Sequence, residues 1–404
     1  MSIEADTSGE DADSGAEGGG WGIYQLALAD DPYPAWARLR EASPVYAAGA
    51  GVFFVSSFAL ADQVVRDPGL RAGGGVAASL STPTGLGYDP MARWLMALDG
   101  PPHDRARGRI RREFTAGQVA RLRPLITSLA VSRVDAFLDR VAAGPADFVG
   151  EVALRLPSEV IRSLFSVDAA VWEEEVAPLF QASDSEPAAA IAPLATFFDE
   201  HARSAEGGLL AALRRPDADG NALAFEDVVS NAVLLVTAAI DTTTGLIANA
   251  LHSLLQNDGV RARLAQDETC AGEVVEETLR FEPPALSCSR YAAEPLTLGG
   301  LAIPAGSHLL VGIGAANRDP SRYAEPDRFV LGRDWTGGLS FGGGKHFCLG
   351  ASLARLEARE VLLSLARSGR LARLSLARPV SWRKDNPTIR APRALWVEER
   401  LECE

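Results

Sequence analysis

The chain has 404 residues, 47% hydrophobic and 23% charged, with a formal net charge of −14. That apolar share supports a large core and excludes a mostly disordered chain. The acidic balance lacks the basic stripe by which proteins grip nucleic acid, so no nucleic-acid partner is expected.

Residues 1–20 carry six acids and no base and are rich in Gly and Ser, which predicts a disordered acidic tail and leaves −8 for residues 21–404. No basic n-region precedes an apolar stretch there, and no run of about 18 uncharged apolar residues follows. Four cysteines (Cys270, Cys288, Cys348, Cys403) without short-range pairing fit a reduced compartment. Together these predict no membrane anchor and a cytoplasmic location. Helices are predicted over Pro34–Glu41, from Thr115 through Val141, and over Leu154–Phe165, with a short β region at Pro44–Val55. The Gly-, Ser- and Thr-rich stretch Gly73–Tyr88 reads as a long functional loop. Phe225–Leu255 is the most apolar stretch, with Val228, Val229, Ala232, Leu235, Val236, Ala239 and Ile240 near helical spacing. A helix of that length would be roughly 45 Å long. Beyond Pro283 come short strands, Leu296–Ile303 and His308–Ile313, then a helix over Leu349–Leu365 and a β-like C-terminus. The pattern is mainly α with a minor β part. No linker interrupts it, so residues 21–404 are expected to form one domain.

The richest segment is Phe341-Gly342-Gly343-Gly344-Lys345-His346-Phe347-Cys348-Leu349-Gly350. Its glycines permit positive φ and close approach to a bulky planar group. It sets Cys348 at a helix start, where free N–H groups and the dipole favour a thiolate. An inert buried cysteine is the plain alternative. A phosphate loop would need a Gly-Lys-Ser/Thr ending that is missing.

Further constellations surround this one. Glu277 and Arg280 stand at i, i+3 among apolar residues, stopped by Pro283-Pro284. His103 and Arg107 share one helix face at i, i+4 after Asp99-Gly-Pro-Pro. Inside the long apolar helix lies Ala238-Ala239-Ile240-Asp241-Thr242-Thr243-Thr244-Gly245. Threonines there could simply bond the i−4 carbonyls, but a buried Asp241 would still lack a partner.

In this order and spacing the motifs resemble those of the cytochrome P-450 family, from about residue 21 onward. The resemblance implies a triangular helical domain with small sheets, and a heme buried between the long central helix and the cysteine-loop helix. It makes Cys348 the axial thiolate of the iron, with Phe341 near the sulfur and Gly350 closing the loop. His346, His103, Arg107 and Arg290 become donors to the heme propionates, and Glu277, Arg280 and Arg333 a structural network holding the loop. Asp241 and Thr242 become the catalytic pair that activates dioxygen, with the helix opened locally beside Ala239. One departure is Gly338, where the family often has His.

The implied activity is a monooxygenase that inserts one oxygen atom of O2 into a lipophilic small molecule by hydroxylation or epoxidation, tailoring a specialised metabolite. The implied cofactor is heme b, with electrons from NAD(P)H through ferredoxin and ferredoxin reductase, and the implied state a monomer. Arg105, Arg109, Arg111, Arg112, Lys345, Arg355 and Arg359 are candidates for a basic docking face. Val233, Thr237, Ala238, Ala285, Leu286 and Ile389 are candidates for the substrate pocket, together with Gly73–Trp94 and Trp172–Ala205. A peroxide-driven peroxygenase and a non-catalytic heme-thiolate sensor are the alternatives. Neither accounts for the Asp241–Thr242 pair.

Overall fold

The computed structural model describes residues 21–73, 86–181, 187–216 and 220–400. The acidic tail, most of the Gly73–Tyr88 loop and Cys403 lie outside the described residues. Helices dominate. The expected ones run over Tyr33–Ala42, Ala116–Ala143, Arg155–Phe165, Phe225–Gln256 and Ala351–Arg367, joined by Gly100–Ile110, Ile191–Ser204 and Ala271–Phe281. Thr115 caps Ala116–Ala143 by accepting from the Gln118 N–H, and Gly144 at φ 151° ends it. The last long helix starts at Ala351, two residues later than expected, because Gly350 stays outside helical geometry.

The strands in chain order are β1 (Val45–Gly49), β2 (Val52–Val55), β3 (Leu70–Arg71), β4 (Ala146–Asp147), β5 (Ser287–Ala292), β6 (Leu296–Leu298), β7 (Leu301–Ile303), β8 (His308–Gly312), β9 (Leu374–Leu376), β10 (Ser381–Trp382), β11 (Pro392–Ala394) and β12 (Trp396–Glu399). The main sheet has the order β1-β2-β8-β5-β3. Its β2 and β8 run parallel, with Val52 opposite His308, and β5 pairs antiparallel to β8. The rest form β4-β12-β9 and the pairs β6-β7 and β10-β11.

The 32-residue helix Phe225–Gln256 organises the packing. It lies against Ile191–Ser204, Arg155–Phe165, Ala271–Phe281 and Ala351–Arg367. Its first half, from Val228 to Ile240, joins a cluster with Trp172, Phe198 and Ile110. Its second half, Leu246 to Leu255, joins another with Phe137, Phe148 and Leu356. Each such side chain contributes about 1.5–3 kcal/mol when fully buried. The helix is long and apolar enough to cross a bilayer, yet 67% of its most apolar window is buried in protein. Between the two halves burial lapses: Ala238 is exposed, and Thr237, Ala239, Asp241 and Thr242 are partly so. No break marks the place. The chain stays helical through the expected opening beside Ala239, where the Thr242 hydroxyl bonds the Ala238 carbonyl at 2.7 Å.

Candidate active site

The cysteine loop is a chain of tight turns. Gly342 and Gly344 have φ of 68° and 63°, and the Cys348 N–H donates to the Phe341 carbonyl at 3.0 Å. A Cβ on Gly344 would fall 2.9 Å from the Val65 carbonyl oxygen, so glycine lets the loop lie on that backbone. Cys348 has accessible surface although protein surrounds it on most sides. Burial pushes the thiol pKa up. The N–H groups of Gly350 and Ala351 and the charges of Arg107 and Arg355 pull it back. Phe341 is half-buried under the Arg355 guanidinium, 4.3 Å from the ring centroid. Leu349, beside Cys348, and Ala239 pack on the same apolar cluster, which joins the cysteine loop to the accessible stretch of the long helix.

Four donors gather beside this loop. His103 is fully buried, its Nδ1 lies 2.9 Å from Asp104, and its Nε2 has no partner. Its ring centroid is 4.4 Å from that of His346, whose Nε2 lies 3.5 Å from an Asp99 carboxylate oxygen. Burial, and then the charges of Arg290 and His103, push the His346 pKa down to about 4. Arg290 is buried and donates to the Ser289 and Val65 carbonyls, while Arg107 donates to the Phe347 carbonyl at 2.7 Å. Orphaned buried nitrogens are costly and rare. The orphaned His103 Nε2 and the His346 ring, flanked by two guanidiniums, fit a ligand bearing paired carboxylates. Among the described residues no group of three or more His, Cys, Asp or Glu could hold a bare metal ion. A lone thiol suits an iron carried in by its own macrocycle.

The Glu277 site is saturated. Its carboxylate is fully buried and accepts from Arg280 Nε (2.8 Å) and Nη2 (2.7 Å), Arg333 Nε (3.1 Å), the Val330 N–H (2.8 Å) and Trp335 Nε1 (3.2 Å). Arg280 spends its other N–H groups on the carbonyls of Asn317, Pro326 and Arg328. Asn317 and Ser340, the latter one residue before Phe341, continue the network by donating to the Leu279 carbonyl. Trp335 was not foreseen. An indole N–H has no spacing signal.

Asp241 meets Arg383 at 3.2 Å, a partner from the C-terminal segment that the sequence did not reveal. Burial raises its pKa, and the Arg383 charge and hydrogen bond oppose the rise. Glu357 was missed as well. It is buried, has one oxygen without a partner, and burial pushes its pKa up to about 8.

Among the pocket candidates, Ala285 and Ile389 face each other across an isolated β-bridge, and Thr237 and Ala238 lie on the accessible stretch. The Thr237 hydroxyl turns back to the Val233 carbonyl. Val233 and Leu286 are corrections. Val233 has no accessible surface and belongs to the cluster of Trp172 and Phe198. Leu286 packs with Tyr33, Trp36 and Phe54 on the opposite side of the chain from Ala285. The expected basic face is also partly engaged. Lys345 pairs with Asp99 at 3.0 Å, Arg355 with Glu276, and Arg109 donates to the Arg215 and Asn221 carbonyls. Arg105, Arg111 and Arg112 are exposed.

An accessible thiol just before a helix, beside imidazole and guanidinium donors, is the arrangement a heme-thiolate protein requires. The family profile described as Cytochrome P450 matches residues 201–368. The chain is 36% identical over 390 residues to cytochrome P450 monooxygenase PikC of Streptomyces venezuelae, covering 92% of both chains. It is 32% identical to the 6-deoxyerythronolide B hydroxylase of Saccharopolyspora erythraea, over 88% of this chain and 93% of that one. Cytochrome P450 CYP109Q5 of Chondromyces apiculatus superimposes with a TM-score of 0.80 at 30% identity, over 94% of this chain and 98% of that one. The chain belongs to the cytochrome P450 family. It is a heme-thiolate monooxygenase, an oxidoreductase working with heme, dioxygen and redox partners.

Proposed function

We propose that residues 21–404 act as one catalytic domain that binds heme b through Cys348 and oxygenates a lipophilic specialised metabolite of medium size. The observation that carries this reading is the Cys348 thiol, surrounded by protein yet accessible, with the unpartnered Nε2 of buried His103 and the His346 ring nearby. Bound heme would supply dioxygen reduction and oxygen-atom transfer. Gly350 and Ala351 N–H groups would stabilise the Cys348 thiolate, and Phe341 would shield it from water. His103, His346, Arg107 and Arg290 would anchor the two propionates by hydrogen bonds and charge. Glu277, Arg280 and Arg333 would hold the loop in register. Thr242 would release its bond to Ala238 and pass a proton inward, while Asp241 would draw that proton from water.

Thr237, Ala238, Ala285 and Ile389 present small or apolar groups and would orient the substrate by shape. The relative from Saccharopolyspora erythraea is by name a hydroxylase of 6-deoxyerythronolide B, which supports a macrolide-sized polyketide as the substrate class. Electrons would come from NAD(P)H through a ferredoxin and its reductase, docking near Arg105, Arg111 and Arg112, on a monomer in the cytoplasm. The test is a panel of macrolactones, terpenoids and small polar compounds added to ferric holoenzyme, read as a spin-state change, followed by turnover under 18O2. Incorporation of one labelled oxygen atom into a panel member supports the reading. Spin-state responses confined to small polar compounds would overturn the substrate class.

A further inference from the structure

The segment after Pro283 and the C-terminal segment meet in a single antiparallel bridge. The Leu286 N–H donates to the Thr388 carbonyl and the Arg390 N–H to the Pro284 carbonyl, both at 2.8 Å. In that pattern Ala285 and Ile389 are the closely spaced pair without mutual backbone bonds, and their side chains stand together on one face. Two backbone bonds alone hold such a bridge loosely. The long helix supplies the rest from residues four apart on one face. At Gly245 a Cβ would sit 2.9 Å from the Pro284 Cβ and 3.4 Å from the Ala391 Cβ, so bare backbone admits both segments. One turn on, fully buried Asn249 donates from Nδ2 to the Glu282 and Arg390 carbonyls, each at 2.9 Å. Two facing acceptors fix which way the amide points. Its Oδ1 is left without a partner among the described residues, a cost set against those two bonds. Glu282 and Arg390 are also joined by their own side chains. The gap between the two segments is therefore held from both sides.

We infer that Asn249, on the face that Gly245 leaves bare, is a positioning residue that sets the spacing of Ala285 and Ile389 and so the breadth of substrate the pocket accepts. The inference rests on the reading of Ala285 and Ile389 as pocket walls. Asn249 has no accessible surface, so it acts through the two carbonyls and not by touching a substrate. Seven residues past Thr242, it lies about 10 Å further along the helix axis.

The test titrates ferric holoenzyme with imidazole, 4-phenylimidazole and clotrimazole, iron-ligating azoles of increasing breadth, read by the Soret shift. Asn249→Ala releases the two carbonyls, and Gly245→Ala drives a methyl between the same segments. In each variant the ratio of the clotrimazole Kd to the 4-phenylimidazole Kd should fall about five- to tenfold, as the walls part and the broad ligand gains room. The imidazole Kd should stay within about twofold, because imidazole reaches the iron without filling the pocket. A role in stability alone would lower the melting temperature and leave the ratio where it was. If Asn249→Ala fails to fold, Gly245→Ala decides alone. A fallen ratio supports the inference. An unchanged or raised ratio, or equal changes for all three azoles, overturns it. Ile389→Ala separates the two levels. If that variant leaves the ratio unmoved, the pocket reading fails and takes this one with it. A shift in Ile389→Ala without one in the helix variants overturns the Asn249 role alone.

Discussion

Two buried polar sites lie close together in this chain and are finished to different degrees. At Glu277 every oxygen is used, with five N–H donors converging on one carboxylate. Beside Cys348, fully buried His103 keeps its Nε2 with no partner, and His346 reaches only Asp99, at 3.5 Å. A site that serves the fold can satisfy itself. One that serves a ligand must leave something undone until the ligand arrives.

The contrast can be broken most forcefully at Glu277. Glu277→Gln strands the Arg280 charge in the core and should cost about 3–5 kcal/mol. Denaturant titration of the heme-free protein would read the loss. An unchanged midpoint would mean that the network is ornamental. The opposite signature belongs to His103→Phe: stability of the heme-free protein within about 1 kcal/mol of wild type, but heme held some ten- to a hundredfold more weakly, as for loss of one hydrogen bond to a charged group. Heme transfer to apomyoglobin measures this directly, and undiminished retention would remove His103 from the propionate site.

A third contrast uses pH. Glu357 is pushed up to about 8 from an ordinary 4.5, so the folded state binds a proton there that the unfolded chain releases. Stability from this group is complete below pH 4.5 and is lost progressively as pH rises toward 8. Glu357→Gln should flatten that decline, visible in melting curves across the same window. A slope equal to wild type would show that Glu357 is already charged at neutral pH. The smallest effect on stability is expected from Thr242→Ala, under about 1 kcal/mol, since only its bond to the Ala238 carbonyl is lost. Its effect should fall on chemistry, as peroxide released in place of product.

What could be read from the sequence was local in the chain. The cysteine loop is ten consecutive residues, and Glu277 and Arg280 lie one helical turn apart, so their spacing carried the geometry. Arg383 stands 142 residues from Asp241, and only folding brings them together. The errors have equally plain causes. Ala285 and Leu286 are neighbours on an extended chain and must face opposite ways, so both could not line one pocket. Val233 and Thr237 share a helix face, yet the packing around Trp172 and Phe198 seals Val233 and leaves Thr237 partly open. Helical period finds a face but not where its cover stops. Likewise, counting arginines and Lys345 could not show that Asp99 and Glu276 had already engaged part of the basic surface.

The central claim is that Cys348, and not one of the nearby histidines, binds the heme iron. The most direct test is the absorption spectrum of the dithionite-reduced holoprotein under carbon monoxide. A strongly red-shifted Soret band, absent in Cys348→Ser, is the predicted result. A band at the position of histidine-ligated heme, in freshly prepared folded protein, would contradict it.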